Sequence, residues 1–205
     1  MEKNYKKQLL RADPATLSLV EFLEHNEGIP ELKGAHVYAD FPLYKEEGEV
    51  VSADVAIVSP SVGLLIFATT NATDGRAAED VPAAEARGDR VFTHLFSRLI
   101  KSKLLQSGRT SLCFPMRVAI YAPDLDSPYS DSPADVLRSA GDLHDFISDE
   151  EKLLDADVIQ EVISVVQGAK GLLKPKDRNL KGLPSSAKEA SEKVPRNVLS
   201  LSLRK

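Results

Sequence analysis

The chain reads as an α/β protein, with a central mixed sheet of about four to five strands and helices on both faces. Three observations carry that expectation. First, the stretch VVSADVAIVSPSVGLLIFATTN from Val50 to Asn71 holds two apolar runs, Val55 to Val58 and Leu64 to Phe67. Ser59-Pro60-Ser61-Val62-Gly63 separates them, and Val- and Ile-rich runs split by a Pro/Gly connection form buried antiparallel strands. Second, Arg90 to Gln106 repeats apolar residues at helical spacing. Third, helical and extended patterns are interleaved along the chain, which layers helices on a sheet.

The elements follow in order. Asp13-Pro14 is a helix start, with Asp as N-cap and Pro at the first helical position. Leu17, Val20, Phe22 and Leu23 give that helix an apolar face, and Gly28 ends it. Glu21 and Glu24 lie on the same helix as solvated-face acids. His36 to Tyr44 is a strand, with Val37, Ala39, Phe41 and Leu43 alternating against His36, Tyr38 and Asp40. A turn at Glu46-Glu47-Gly48-Glu49 leads into the two apolar strands, and Asp54 stands just before the first of them.

Asn71 to Gly88 is polar, rich in Ala, Asp and Glu, and without clear periodicity, so a loop or a weak helix is expected. Its acids Asp74, Glu79, Asp80 and Glu85 are solvated on that reading. From Arg90 to Gln106, Val91, Phe92, Leu95, Phe96, Leu99, Ile100 and Leu104 make a wide apolar helix face. Arg98, Lys101 and Lys103 gather toward its C-terminal end, where cations suit the helix dipole and could also meet phosphates. His94 is expected as a partly buried helix histidine, because no second His or Cys lies at metal-ligand spacing from it.

Ser111 to Pro123 is a fourth strand region centred on Val118 to Tyr121, and Asp124 to Pro133 is a loop of turn formers. Ser139 to Lys152 is mixed, with Leu143, Phe146 and Ile147 apolar. Asp157 then caps a helix that is apolar almost all round, from Val158 to Ala169.

Composition narrows the class. At 205 residues the chain suits one large domain or a domain with an appendage, here 1–173 and a basic tail 174–205. Hydrophobic residues at 42% and charged residues at 28% are ordinary for a globular protein. No apolar run reaches the ~18 residues of a membrane span, and the polar start is not a signal sequence, so no membrane partner and a cytoplasmic location are expected. Cys113 is the only cysteine, which excludes an internal disulfide. The tail carries nine basic residues, Lys174, Lys176 and Arg178 among them, against three acids. It is therefore +6 and the remainder −11. A basic tail can track phosphates, although charge runs are more often simply solvated.

The hairpin resembles the central hairpin of the PD-(D/E)xK nucleases, a restriction-endonuclease-like core, and in particular the nuclease-related (NERD) domain. In that family a strand carries an Asp, a Pro/Gly turn follows, and the next strand ends in Glu-x-Lys. The two acids hold a divalent cation such as magnesium, and the Lys helps activate the attacking water. Here Asp54 takes the Asp position, Gly63 the turn glycine, Ala68 the Glu position and Thr70 the Lys position. The resemblance thus implies the fold with a degenerate site. It also suggests that an acid of the first helix, Glu21 or Glu24, could face a metal. Three segments, GRTSLCFPMRVAIYAPD, VIQEVISVVQGAKGLLKPK and KEASEKVPRNVLSLSLRK, are similar to the N-terminal region of bacterial UvrD/Rep-like superfamily 1 helicases. No Gly-x-x-x-x-Gly-Lys-Ser/Thr loop is present, so this chain is not itself a motor.

Three functions follow from these readings. One is a non-catalytic nuclease-like module that binds nucleic acid beside a helicase motor, through Arg98, Lys101, Lys103, Lys174, Lys176 and Arg178. Another is a nuclease using magnesium through displaced ligands, with one of the acids between residues 71 and 88 returning to Asp54. The third is a protein-interaction scaffold. The alignment requires Asp54 beside Ala68 on the neighbouring strand, bonded to backbone N–H groups or solvent. It also expects Ala68→Glu with Thr70→Lys to create a magnesium site.

Overall fold

A computed structural model describes residues 1–10, 13–46, 49–148 and 153–171. The basic tail, with Lys174, Lys176 and Arg178, and the boundary at 173 lie outside the described residues.

The fold class is as expected, with a larger sheet. Among the described residues six strands pair in chain order: β1 (Glu2–Asn4), β2 (His36–Glu46), β3 (Glu49–Ser59), β4 (Gly63–Thr69), β5 (Met116–Tyr121) and β6 (Asp135–Leu137). The pairs β2–β3 and β3–β4 are antiparallel and the other three parallel, so the sheet is mixed. The two strands beyond the expected four are β1 and β6, three residues each, at the edges of the sheet.

Among the described residues four α-helices cover the sheet: α1 (Pro14–His25), α2 (Ala77–Leu99), α3 (Ala140–Ser148) and α4 (Ala156–Gly171). On one face, Val55, Ile57, Leu65 and Phe67 pack with α1 residues Leu19 and Leu23 and α3 residues Phe146 and Ile147. On the other, Ala56, Val58, Leu64 and Ile66 pack with Leu95 and Leu99 of α2 and Val162 and Val166 of α4. The alternation along β3 and β4 therefore feeds two cores, as it must when both faces of a sheet are covered.

Asp13 caps α1 as the Asp-Pro pair predicts, accepting from Thr16 N–H. The helix ends at His25, and Asn26, two residues before Gly28, is its C-cap, with its N–H on the Phe22 carbonyl. At the β3–β4 turn, Gly63 has φ +75°. A Cβ there would run into the Pro115 carbonyl, which instead accepts from Leu64 N–H at 3.1 Å.

Helix α2 departs most from expectation. It begins at Ala77 and ends at Leu99, so it absorbs two-thirds of the stretch expected as a loop or weak helix. Its buried residues are Ala77, Val81, Ala84, Gly88, Val91, Leu95 and Leu99, a continuous three-to-four spacing whose first half is mostly small. Pro82 lies within the first two turns, where only one intrahelical bond is lost. Beyond Leu99 the chain turns, and Lys103–Leu105 forms a separate 3-10 turn.

Candidate functional site

Asp54 sits inside β3 rather than before it, because β3 starts at Glu49. Antiparallel pairing with β4 runs from Ser59↔Gly63 to Val55↔Phe67. The same register, carried one residue further, sets Asp54 against Ala68. At that point the ladder stops and the Asp54 carboxylate turns into the gap. Its Oδ2 accepts from Thr69 N–H at 2.9 Å. Of the two expected arrangements, solvent or a backbone donor, Asp54 has the backbone donor.

A cationic partner comes from α2. An Nη of Arg87 donates to the Thr69 carbonyl at 2.7 Å and lies 3.5 Å from Asp54 Oδ2. Close approach makes this reach possible. Gly88 faces the sheet, and a Cβ built on it would be 3.0 Å from Val118 Cγ1 and 3.4 Å from the Ala68 methyl. Ala68 is only 3% exposed. The crevice between Ser52, Asp54, Ala68, Arg87, Gly88 and Val91 has no volume in which a water molecule fits.

The same carboxylate borders a polar chain that ends at α1. Thr69 Oγ1 is 3.5 Å from Asp54 Oδ2, 3.2 Å from Asp13 Oδ2 and 2.6 Å from Thr16 Oγ1. Thr16 donates its hydroxyl to Asp13 at 2.6 Å. Asn71 donates to Asp13 Oδ1 at 3.2 Å and accepts from Ala15 N–H at 2.9 Å.

The two carboxyls titrate in opposite directions. Burial pushes Asp54 up, and the proximity of Asp13 adds to it, against the Thr69 N–H and Arg87. Burial also opposes ionisation of Asp13, but the donors Thr16, Asn71 and Thr69 outweigh it and hold that group low.

A divalent cation does not fit this corner. Hard cations need several anionic or carbonyl oxygens. Here position 68 is an alanine, Arg87 stands beside the one retained acid, and Asp13 and Asn71 are engaged with backbone and hydroxyl donors. Among the described residues no group of three or more His, Cys, Asp or Glu side chains is placed to hold a metal.

The other candidate acids lie elsewhere. Glu21 and Glu24 pair with Lys7, and Glu24 also accepts from Tyr5, so the first helix sends Asp13 toward Asp54 and not these. Asp74 accepts from Asp126 and Ser127, Asp80 pairs with Arg76, and Glu85 accepts from Ser132. Thr70 lies just past β4, its N–H on the Tyr121 carbonyl at 2.9 Å.

Arg98, Lys101 and Lys103 come together where α2 ends. Lys101 and Lys103 are exposed and Arg98 is half-buried. No carboxylate pairs with any of the three among the described residues. His94, one turn before Arg98, is partly buried as expected and stacks on Tyr44, ring centroids 4.1 Å apart and planes 16° from parallel.

Arg87 and Thr69 are the site residues that sequence reasoning missed. The available signal was the spacing of Ala84 and Gly88, which marks a helix lying close on the sheet and places Arg87 at its rim.

Comparison with protein-family models, with curated proteins and with solved structures found no match. No helix among the described residues is long and apolar enough to cross a membrane.

Proposed function

We propose that this chain is a non-catalytic, nuclease-like module that binds or positions nucleic acid for a helicase motor attached in cis or acting in trans, in the cytoplasm. The observation that carries this reading is the Asp54 corner. A nuclease of this type needs an open carboxylate pair and a water aimed at phosphorus. Here Arg87 and Thr69 N–H already hold Asp54, and Ala68 is flush against Gly88. Binding is supported by the unopposed cations Arg98, Lys101 and Lys103. Lys174, Lys176 and Arg178 of the basic tail are further candidates for phosphate contact, and no cofactor is called for.

Incubation of the chain with single-stranded and duplex DNA in magnesium or manganese, with binding followed at low and moderate salt, tests the reading. Binding without cleavage, weakening steeply with salt, is expected. Cleavage abolished by Asp54→Ala would establish an active nuclease with displaced ligands instead. Absence of binding even at low salt would leave the protein-interaction scaffold.

A further inference from the structure

The cations at the end of α2 stand beside an aromatic pair, and the combination is more specific than charge alone. Tyr44 lies near the outer end of β2 and His94 on the flank of α2, and both rings are only partly buried. Their near-parallel stack therefore forms part of the rim of the core, with its other edge against apolar residues. Burial holds the His94 pKa below its usual range, and Arg98 and Lys101 add to that effect. So the imidazole is neutral at neutral pH, and the field around it is positive. The Arg98 guanidinium reaches toward α4, its Nη2 3.6 Å from where a Cβ on Gly168 would be.

We infer that the ligand at this end of α2 is a single-stranded nucleic acid, with a base stacked on the Tyr44–His94 pair and the adjoining phosphates on Arg98, Lys101 and Lys103. This rests on the nucleic-acid reading above and adds the strand state. Flat aromatic surface beside cations is how sequence-tolerant single-strand binders work, because every base offers a π-face. A duplex hides those faces within its stack and offers only groove edges and phosphates.

The test uses the full chain, with fluorescence anisotropy of labelled oligothymidine and of a matched duplex at low salt. Single strand should bind more tightly than duplex. Tyr44→Leu keeps apolar bulk while removing the ring. It should weaken single-strand binding about tenfold and leave duplex binding unchanged. Arg98→Ala and Lys101→Ala should weaken both and flatten the salt dependence. If Tyr44→Leu unfolds the chain in a thermal melt, His94→Gln gives the same contrast. Equal affinity for duplex and single strand, or no effect of either ring substitution, overturns the stacking inference and leaves the broader function standing. Loss of all binding in the unaltered chain overturns both.

Discussion

Two arginines of α2, Arg87 and Arg98, sit three turns apart on one helix, about 16 Å along its axis. Arg87 turns back onto the sheet, where an acid and a carbonyl take its charge. Arg98 ends at a rim where Lys101 and Lys103 add like charge and no described carboxylate answers. The difference lies in what the sheet presents. At Asp54 the β3–β4 ladder parts and presents an acid to Arg87, while among the described residues no acid reaches Arg98, whose guanidinium lies by Gly168 of α4. Arg87 is satisfied inside the molecule, whereas Arg98, with no described carboxylate beside it, is available to a partner.

The largest break in that contrast is Ala68→Glu. A carboxylate pressed against Gly88 and beside Asp54 has neither room nor a free counter-ion, and should cost about 3 kcal/mol or more in a denaturant melt. The double change Ala68→Glu, Thr70→Lys therefore should not create the magnesium site that the family alignment suggests while Arg87 remains. Calorimetric magnesium binding by that double variant would mean that the corner opens. Next is Asp13→Ala, which removes the α1 cap together with its links to Thr16 and Asn71, for about 1–2 kcal/mol at neutral pH. The folded Asp13 pKa is depressed, so its contribution is present above the ordinary value of 3.8 and is lost as pH falls through the folded value. The gap between variant and wild type should close on acidification.

Asp54→Asn should act in the opposite sense and more weakly. The folded Asp54 pKa is raised, so the folded state holds a proton that the unfolded chain has released above 3.8. Wild-type stability therefore falls as pH rises through the folded value. The asparagine variant should be slightly more stable than wild type at neutral pH and equal to it below 3.8, as read from melts across the pH range. The smallest effect on stability belongs to Lys101→Ala with Lys103→Ala, within about 0.5 kcal/mol. The same pair should weaken nucleic-acid binding and lower its salt slope, measured by titration at several ionic strengths. A large stability loss from that pair would show that these cations have internal partners and end the contrast.

The fold class was legible because Val- and Ile-rich runs around a Pro/Gly turn admit few other structures, and Asp13-Pro14 marks a helix start unambiguously. The front of α2 was not legible. Ala77, Ala84 and Gly88 carry its buried face, and small residues give almost no hydrophobic signal, although their spacing is as regular as that of Val91, Leu95 and Leu99. Strands of three residues are too short to show alternation, so β1 and β6 exist only because β2 and β5 provide an edge to pair with. At the site, the placing of Asp54 opposite Ala68 followed from strand geometry. Arg87 did not, because its role depends on how closely a helix approaches a sheet.

The strands lie in the sheet in the order in which they occur in the chain. That order has a consequence for how the molecule assembles. The β2–β3–β4 meander needs only short loops closed, whereas pairing β4 with β5 must first bring residue 64 to residue 116 across the whole of α2. Contacts of low sequence separation form at smaller entropic cost and are expected earlier. The Asp54–Thr69 bond then belongs to the early nucleus, and Arg87 arrives with the docking of α2. Conservative substitutions in the meander should slow folding, while substitutions on the sheet-facing side of α2 should chiefly hasten unfolding.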